Sequence, residues 1–241
     1  MRYLALATDY DGTLAKDGHV AAPILHAVER VRAAGLKTLL VTGRQLPELD
    51  TVFPHVELFD AIVAENGAEL FWPAAEREEV LGEPSSVEFL AEMKRLDVTP
   101  FAVGKVIFAT WRQHEVAIAD AILRLGVDYQ IAFNKRAVMV LPKAINKASG
   151  LTAALKRLCI APGDVVGIGD AENDLPFLRI CGLAAAVDNA LPTVKAQCQF
   201  VAARDHGEGV LELIEALLGG SLDDFPPRSA IPFRTQTRPL N

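Results

Sequence analysis

At 241 residues the chain has the length of one to two ordinary domains, and its 51% hydrophobic, 23% charged and 7% aromatic residues exclude a disordered or collagenous protein. A formal net charge of −7, with basic residues scattered in pairs such as Lys94-Arg95, Lys135-Arg136 and Lys156-Arg157, argues against a nucleic-acid partner, which wants clustered positive charge. No uncharged apolar run approaches the ~18 residues that cross a bilayer, and the apolar start Leu4 to Ala7 is cut short by Asp9 and Asp11, so no membrane partner and no signal peptide are expected and the protein reads as cytoplasmic.

The first unit reads strand, helix, strand. Tyr3 to Thr8 is short and apolar, Pro23 to Ala34 carries Ile24, Val28 and Val31 at helical spacing, and Leu36 to Val41 is a second apolar run. Pro23 suits the first turn of a helix and Gly35 the left-handed position past its end, which is the punctuation of a βαβ unit in a parallel sheet. Ala61 to Ala64 is a third strand. Between Glu83 and Lys143 the rhythm changes to a helix with Phe89, Met93 and Leu96 on one face, a strand at Lys105 to Thr110, and a helix with Ile118, Ile122 and Leu125. Strands Tyr129 to Phe133 and Ala137 to Leu141 then flank the hairpin loop Asn134-Lys135-Arg136, so this stretch is expected to pair antiparallel.

Farther on, helical Lys147 to Cys159, Asn173 to Ile180 and Gly209 to Leu218 lie between or after the apolar runs Val165 to Ile168, Leu183 to Val187 and Phe200 to Ala202. The predicted fold is an α/β core with a Rossmann-like parallel sheet flanked by helices, over 1–82 and 144–220, carrying a small α+β insert at 83–143. From Ser221 on, Pro226, Pro227, Pro232 and Pro239 predict an extended proline-rich tail. Cys159, Cys181 and Cys198, odd in number and without CxxC spacing, are expected to be packed, reduced core thiols.

The residues that carry chemistry fall at strand ends. The first strand runs into Asp9-Tyr10-Asp11-Gly12-Thr13, placing two carboxylates at the carboxyl edge of a parallel strand, where open α/β sheets bind ligands. Like charges so close are tolerated best with a cation between them, and oxygen ligands suit Mg²⁺. A capped Asp-Gly turn is the plainer alternative. The second strand ends Val41-Thr42-Gly43-Arg44, a hydroxyl and backbone amides able to hold phosphate oxygens. The run Val166-Gly167-Ile168-Gly169-Asp170-Ala171-Glu172-Asn173-Asp174 again ends a strand in acids. A dinucleotide-binding reading of Gly167 and Gly169 fails where Glu172 replaces the third glycine, and its acids would face an anionic pyrophosphate, so metal binding is preferred. Lys147, alone at a helix start, gains meaning from this company, because phosphoryl transfer beside several carboxylates needs a fixed positive charge.

These four elements, in this order, resemble the haloacid dehalogenase superfamily of phosphohydrolases, and the insert between Thr42 and Lys147 resembles the caps of its type IIB, Cof-like group. The match covers nearly residues 1 to 220: DxDGT is Asp9 to Thr13, the second-motif threonine is Thr42, the third-motif lysine is Lys147, and GDxxND is Gly169 to Asp174. Asn66-Gly67-Ala68 is similar to the family's NGA turn and Asp188-Asn189-Ala190 to its NA turn. The resemblance implies a covalent mechanism in which Asp9 attacks phosphorus and Asp11 protonates the leaving oxygen, then activates water. It also implies Mg²⁺ held by the Asp9 carboxylate, the Asp11 backbone carbonyl and Asp170, with Asn173 and Asp174 in support, and Thr42 and Lys147 on the phosphoryl group. Gly43, Arg44 and Asn66 are further supporting residues.

The substrate so implied is a small phosphate ester, such as a sugar, polyol or organic acid phosphate, selected by the insert as a cap. That insert is shorter than the usual type IIB cap, and Lys105, Arg112, His114, Asn134 and Arg136 are its polar candidates, with Trp111 able to cover a sugar ring. His19, His26, His55 and His206 show no spacing for metal or nucleophilic work. The alternatives are a phosphomutase using the same aspartyl phosphate, and a non-enzymatic phosphometabolite-binding module, against which the intact Asp9, Asp11, Lys147 and Asp170 count.

Overall fold

The computed structural model describes residues 2–225. Strand β1 (Ala5–Thr8) is buried along its whole length, as a strand covered on both faces must be, and it pairs parallel with β2 (Lys37–Val41) on one side and β10 (Val165–Gly169) on the other. Strand β3 (Ala61–Ala64) extends the sheet beyond β2, while β11 (Leu183–Ala186) and β12 (Phe200–Val201) extend it beyond β10, all in parallel. The chain thus leaves β1 in one direction first and the opposite direction later. Strand β1 stands at the switch point, where the loops on its two sides part and open a crevice at the carboxyl edge.

Two strands that the sequence reading did not anticipate complete the eight-stranded sheet: β4 (Glu69–Trp72) and β5 (Arg77–Val80) pair antiparallel to β3 and to each other. Strand β5 reads Arg-Glu-Glu-Val and is mostly exposed, the charged edge that keeps a sheet from pairing with another. Helix α1 (Ala22–Ala33) buries Ile24, Ala27, Val28 and Val31, and packs with α8 (His206–Leu218) beside β2. Helices α2 (Leu46–Val52), α5 (Lys147–Leu158), α6 (Leu175–Ile180) and the short α7 (Pro192–Lys195) follow the other strand ends.

The insert forms its own four-stranded antiparallel sheet, in the order β6 (Ala102–Val103), β7 (Phe108–Trp111), β9 (Ala137–Pro142), β8 (Tyr129–Asn134). Helices α3 (Val87–Arg95) and α4 (Glu115–Leu125) join it around Phe89, Met93, Phe108, Ile118, Val138 and Val140, with the Phe89 ring edge-on to Phe108 and Tyr129. The hairpin loop is tighter than expected. Asn134 pairs with Ala137, so Lys135 and Arg136 alone turn the chain, Lys135 in the left-handed region at φ 53°.

A second apolar cluster, Ala68, Val106, Ile107, Met139, Leu141 and Ile145, lies where the insert meets the core. Beside it the buried carboxylate of Glu65 accepts backbone N–H groups from Lys105 at 2.7 Å, Val106 at 2.9 Å and Ile107 at 3.0 Å. Those amides are therefore spent on Glu65 rather than on a ladder, which is why the strand expected at Lys105 to Thr110 begins only at Phe108.

Two other expectations change. Of the three cysteines only Cys181 is in the core; Cys159 is exposed in the left-handed position ending α5 and Cys198 is half-buried. The expected extended tail from Ser221 instead starts with a 3-10 turn at Ser221–Asp224 that buries Leu222, and Arg2 Nη1 donates to the Phe225 carbonyl at 2.7 Å. The four tail prolines lie outside the described residues.

Candidate active site

Asp9 ends β1 at the switch point and is buried, its N–H donating to the Ile168 carbonyl across the sheet at 3.0 Å. Lys147 opens α5, whose start is fixed by the Asn146 side chain accepting from Ala148 and Ser149 N–H groups while the Ser149 hydroxyl accepts from Asn146 N–H. The left-handed Gly67 lets this helix start approach, since a Cβ there would sit 2.0 Å from the Asn146 carbonyl oxygen. Lys147 is fully buried, and its ammonium reaches Asp9 Oδ1 at 2.5 Å and Asp174 Oδ1 at 2.6 Å. Asp174 Oδ2 accepts the backbone N–H groups of Asp170 at 2.9 Å and Ala171 at 3.0 Å. Both Asp174 oxygens are thereby committed, and it shapes the loop after β10. Asp9 Oδ2 accepts no hydrogen bond among the described residues and is left open.

Asp170 is the third acid of this group. Its Oδ1 accepts from the Thr13 hydroxyl at 3.1 Å, whereas Oδ2 receives no aligned hydrogen bond and meets only the Lys135 ammonium at 2.5 Å. Carboxylate oxygens of Asp9, Asp170 and Asp174 all lie within 4.8 Å of one another. Burial, then the neighbouring Asp174 charge, push Asp9 well above the usual carboxylate range against the pull of Lys147. Asp170 is raised by the same causes, with Lys135 opposing. Burial works against charge on Lys147, yet Asp174 and Asp9 outweigh it and hold the ammonium protonated above the ordinary lysine range. Left-handed Gly12 lets the loop after β1 close over this cluster, because a Cβ there would stand 2.5 Å from Asp170 Oδ2.

A dication fits these residues. The donors are all oxygens; Asn173 Oδ1 is buried with no hydrogen-bond partner, and Asp170 Oδ2 is buried and met only by the Lys135 ammonium. Asp9 Oδ2 and Asp170 Oδ2 are the oxygens with capacity left to hold it.

The remaining expected residues close the mouth. Thr42 is buried, its hydroxyl accepting the Arg44 N–H at 3.1 Å. Arg44 clamps the half-exposed Asp11 with two bonds of 2.7 Å and lies over the Tyr10 ring, so Asp11 faces the cleft and not the buried acids. Asn66, left-handed at φ 55°, donates its N–H to the Thr42 carbonyl at 3.0 Å and accepts from Asn173 Nδ2 at 3.1 Å, tying the loops after β2, β3 and β10 together. Asn189 donates to the Gly12 carbonyl at 2.7 Å and accepts from the His206 N–H at 2.7 Å.

A cleft of about 390 Å³ runs from Asp11 and Gly12 to the hairpin of the insert, and Trp111, Asn134, Arg136 and His206 stand on it. Of the polar candidates in the insert, Asn134 and Arg136 thus come to the site. Lys105 is spent on Glu69 and Glu78, His114 meets the Thr99 carbonyl, and Arg112 braces the hairpin from behind. Sequence reasoning missed Lys135, which it saw only as half of a basic pair, and left His206 without a role. A hairpin tip in an insert that follows the second motif was the available signal for the lysine; nothing local marked the histidine.

A family model described as haloacid dehalogenase-like hydrolase matches residues 6–95 and 98–214. The chain belongs to the haloacid dehalogenase-like hydrolases. The resemblance read from the four motifs is thus borne out over nearly the whole described chain. Among curated haloacid dehalogenase-like relatives, the phosphoglycolate phosphatase of Methanothermobacter thermautotrophicus is 30% identical over 224 residues, covering 89% of this chain and 99% of its own. That of Methanothrix thermoacetophila is 31% identical over 221 residues, covering 88% and 95%. Among solved structures, Thermoplasma acidophilum 0175 superposes with a TM-score of 0.77 at 17% identity over 90% of this chain and 99% of that one. The subclass IIB sugar phosphatase BT4131 does so with a TM-score of 0.74 at 18% identity, over 88% and 98%. These two share the fold.

Proposed function

We propose that this chain is a Mg²⁺-dependent phosphatase acting on a small phosphorylated metabolite through an aspartyl phosphate on Asp9. The observation that carries the reading is the division of labour on Asp9: Lys147 holds Oδ1, while Oδ2 accepts no hydrogen bond among the described residues and stays free to react. Mg²⁺ would be held by Asp9, Asp170 and the Asp11 backbone carbonyl, with Asp174 and Asn173 fixing the loop behind them. When bound, it supplies the positive centre that offsets the clustered acids and draws in phosphoryl oxygens.

The protein's own groups then carry the two half-reactions. Asp9 Oδ2 attacks phosphorus, the bond from phosphorus to the leaving oxygen breaks, and Asp11 delivers a proton to that oxygen. Water next attacks phosphorus with Asp11 taking its proton, and the Asp9 carboxylate departs. Lys147 stays charged throughout and balances the phosphoryl group, to which the Thr42 hydroxyl and the Gly43 amide also donate. Residues 83–143 act as the cap that closes the cleft to bulk water. The names of the curated relatives put phosphoglycolate first among substrates to test, ahead of the sugar phosphates.

The test is phosphate release from phosphoglycolate and a panel of sugar phosphates, with and without Mg²⁺. Turnover that needs Mg²⁺ and falls more than about 10³-fold in Asp9→Asn is the expected result. Turnover that survives in Asp9→Asn would overturn the covalent route.

A further inference from the structure

We propose that Lys135, at the tip of the β8–β9 hairpin, recognises a carboxylate on the leaving group, so that the substrate is a phosphomonoester of a small organic acid. This rests on the phosphatase reading above.

The backbone at the tip is fixed while the side chain is not. Lys135 donates its N–H to Glu172 Oε2 at 3.3 Å, on the loop after β10, and its carbonyl accepts from Arg112 Nη1 at 3.3 Å. Arg112 also donates its N–H to the Arg136 carbonyl at 2.9 Å and lays its guanidinium 4.6 Å from the centre of the Phe133 ring. The side chain projects from this platform with 45% of its surface exposed and ends on Asp170 Oδ2.

Of the other cations near the site, Arg136 shares the cleft with Lys135, and three more have ionic partners of their own. Lys147 is enclosed by Asp9 and Asp174, Arg44 is forked onto Asp11, and Lys105 lies between Glu69 and Glu78. Lys135 alone among these rests on an oxygen that a divalent ion would claim. A dication on Asp170 Oδ2 repels the ammonium and offsets the charge that holds it, so it competes with Lys135 for that oxygen. Displaced by the metal, the lysine has room to turn outward into the cleft beside Arg136 and His206. That is the side on which a leaving group bonded to phosphorus must lie. Asp11, on the same cleft, is already paired with Arg44, so the released ammonium, with Arg136 beside it, is the charge that meets an incoming carboxylate.

The experiment compares phosphoglycolate with ethyl phosphate, which has a methyl group where the acid has its carboxylate. Wild type, Lys135→Met and Lys135→Arg are assayed with Mg²⁺. The expected result is a drop of about 10- to 100-fold in kcat/KM for phosphoglycolate in Lys135→Met, mostly through KM, with ethyl phosphate changed by less than about 3-fold and partial recovery in Lys135→Arg. Calorimetry supplies a readout apart from turnover: Mg²⁺ binds Lys135→Met several-fold more tightly than wild type, because a competing cation is gone. Equal losses on both esters, no loss on either, or unchanged Mg²⁺ affinity would overturn the proposal while leaving the phosphatase intact. Absence of turnover on every ester in wild type is the separate failure of the phosphatase reading, and takes this proposal with it.

Discussion

Lys147 shows what a single residue contributes here. Fully buried, it pairs with two of three clustered carboxylates, and its removal leaves Asp9 and Asp174 facing each other without that counter-ion. Breaking a buried ion pair from one side costs about 3–5 kcal/mol. Lys147→Met is therefore expected to lose that much in urea denaturation and to lose turnover as well. A variant as stable as wild type would mean that protonation of the acids already balances the cluster. Asp9, Thr42, Lys147 and Asp170 were legible in the sequence because each sits in a short motif tied to a strand end or helix start. Lys135 was not, since its meaning comes from where a hairpin tip lands and not from the third motif that begins twelve residues later at Lys147. The Arg44 clamp on Asp11 was hidden for the same reason: chain proximity to the second motif says nothing about which acid the guanidinium will reach.

At the scale of elements, Glu65 joins the insert to the core beside the apolar cluster of Ala68, Val106 and Ile107. Its carboxylate takes three successive amides of the turn between β6 and β7, and Gly104 lies so close that a Cβ would stand 2.2 Å from Oε1. Glu65 is itself left-handed at φ 47°, and its N–H donates to the Arg44 carbonyl at 2.9 Å, so one residue ties the second motif to the cap. Glu65→Ala orphans these donors, and at about 1–3 kcal/mol for a buried unsatisfied group the variant is expected to lose roughly 3 kcal/mol or more. Hydrogen exchange at Lys105, Val106 and Ile107 checks it: strong protection in wild type that collapses in Glu65→Ala is the prediction. Fast exchange in wild type would show the junction already open. The parallel strands were readable as apolar runs buried on both faces, and α1 and α5 from their periodicity and end signals. Strand β5 escaped because an edge strand of Arg77, Glu78 and Glu79 carries no such run and has one neighbour only, whereas β4, mostly buried through Leu70 and Trp72, offered a short apolar run that was overlooked.

For the molecule as a whole, topology sets the chemistry. Strand β1 lies between two oppositely wound halves, so residues from 9 to 189 converge on one crevice although they are scattered along the sequence. The insert adds the fourth wall through the β8–β9 hairpin, which touches the loop after β10 at Glu172 and Asp170. Asp9, proposed as nucleophile, the fixed cation Lys147, a cluster of carboxylate oxygens and the hairpin of the insert meet there, and the covalent phosphoryl transfer proposed needs those parts together. The most direct measurement is a rapid acid quench during turnover of phosphate-labelled phosphoglycolate, followed by peptide mapping. Label bound transiently to the peptide that contains Asp9, and absent from Asp9→Asn, is the predicted result. Steady hydrolysis with no protein-bound label at any time, or label on another peptide, would contradict an aspartyl phosphate at Asp9.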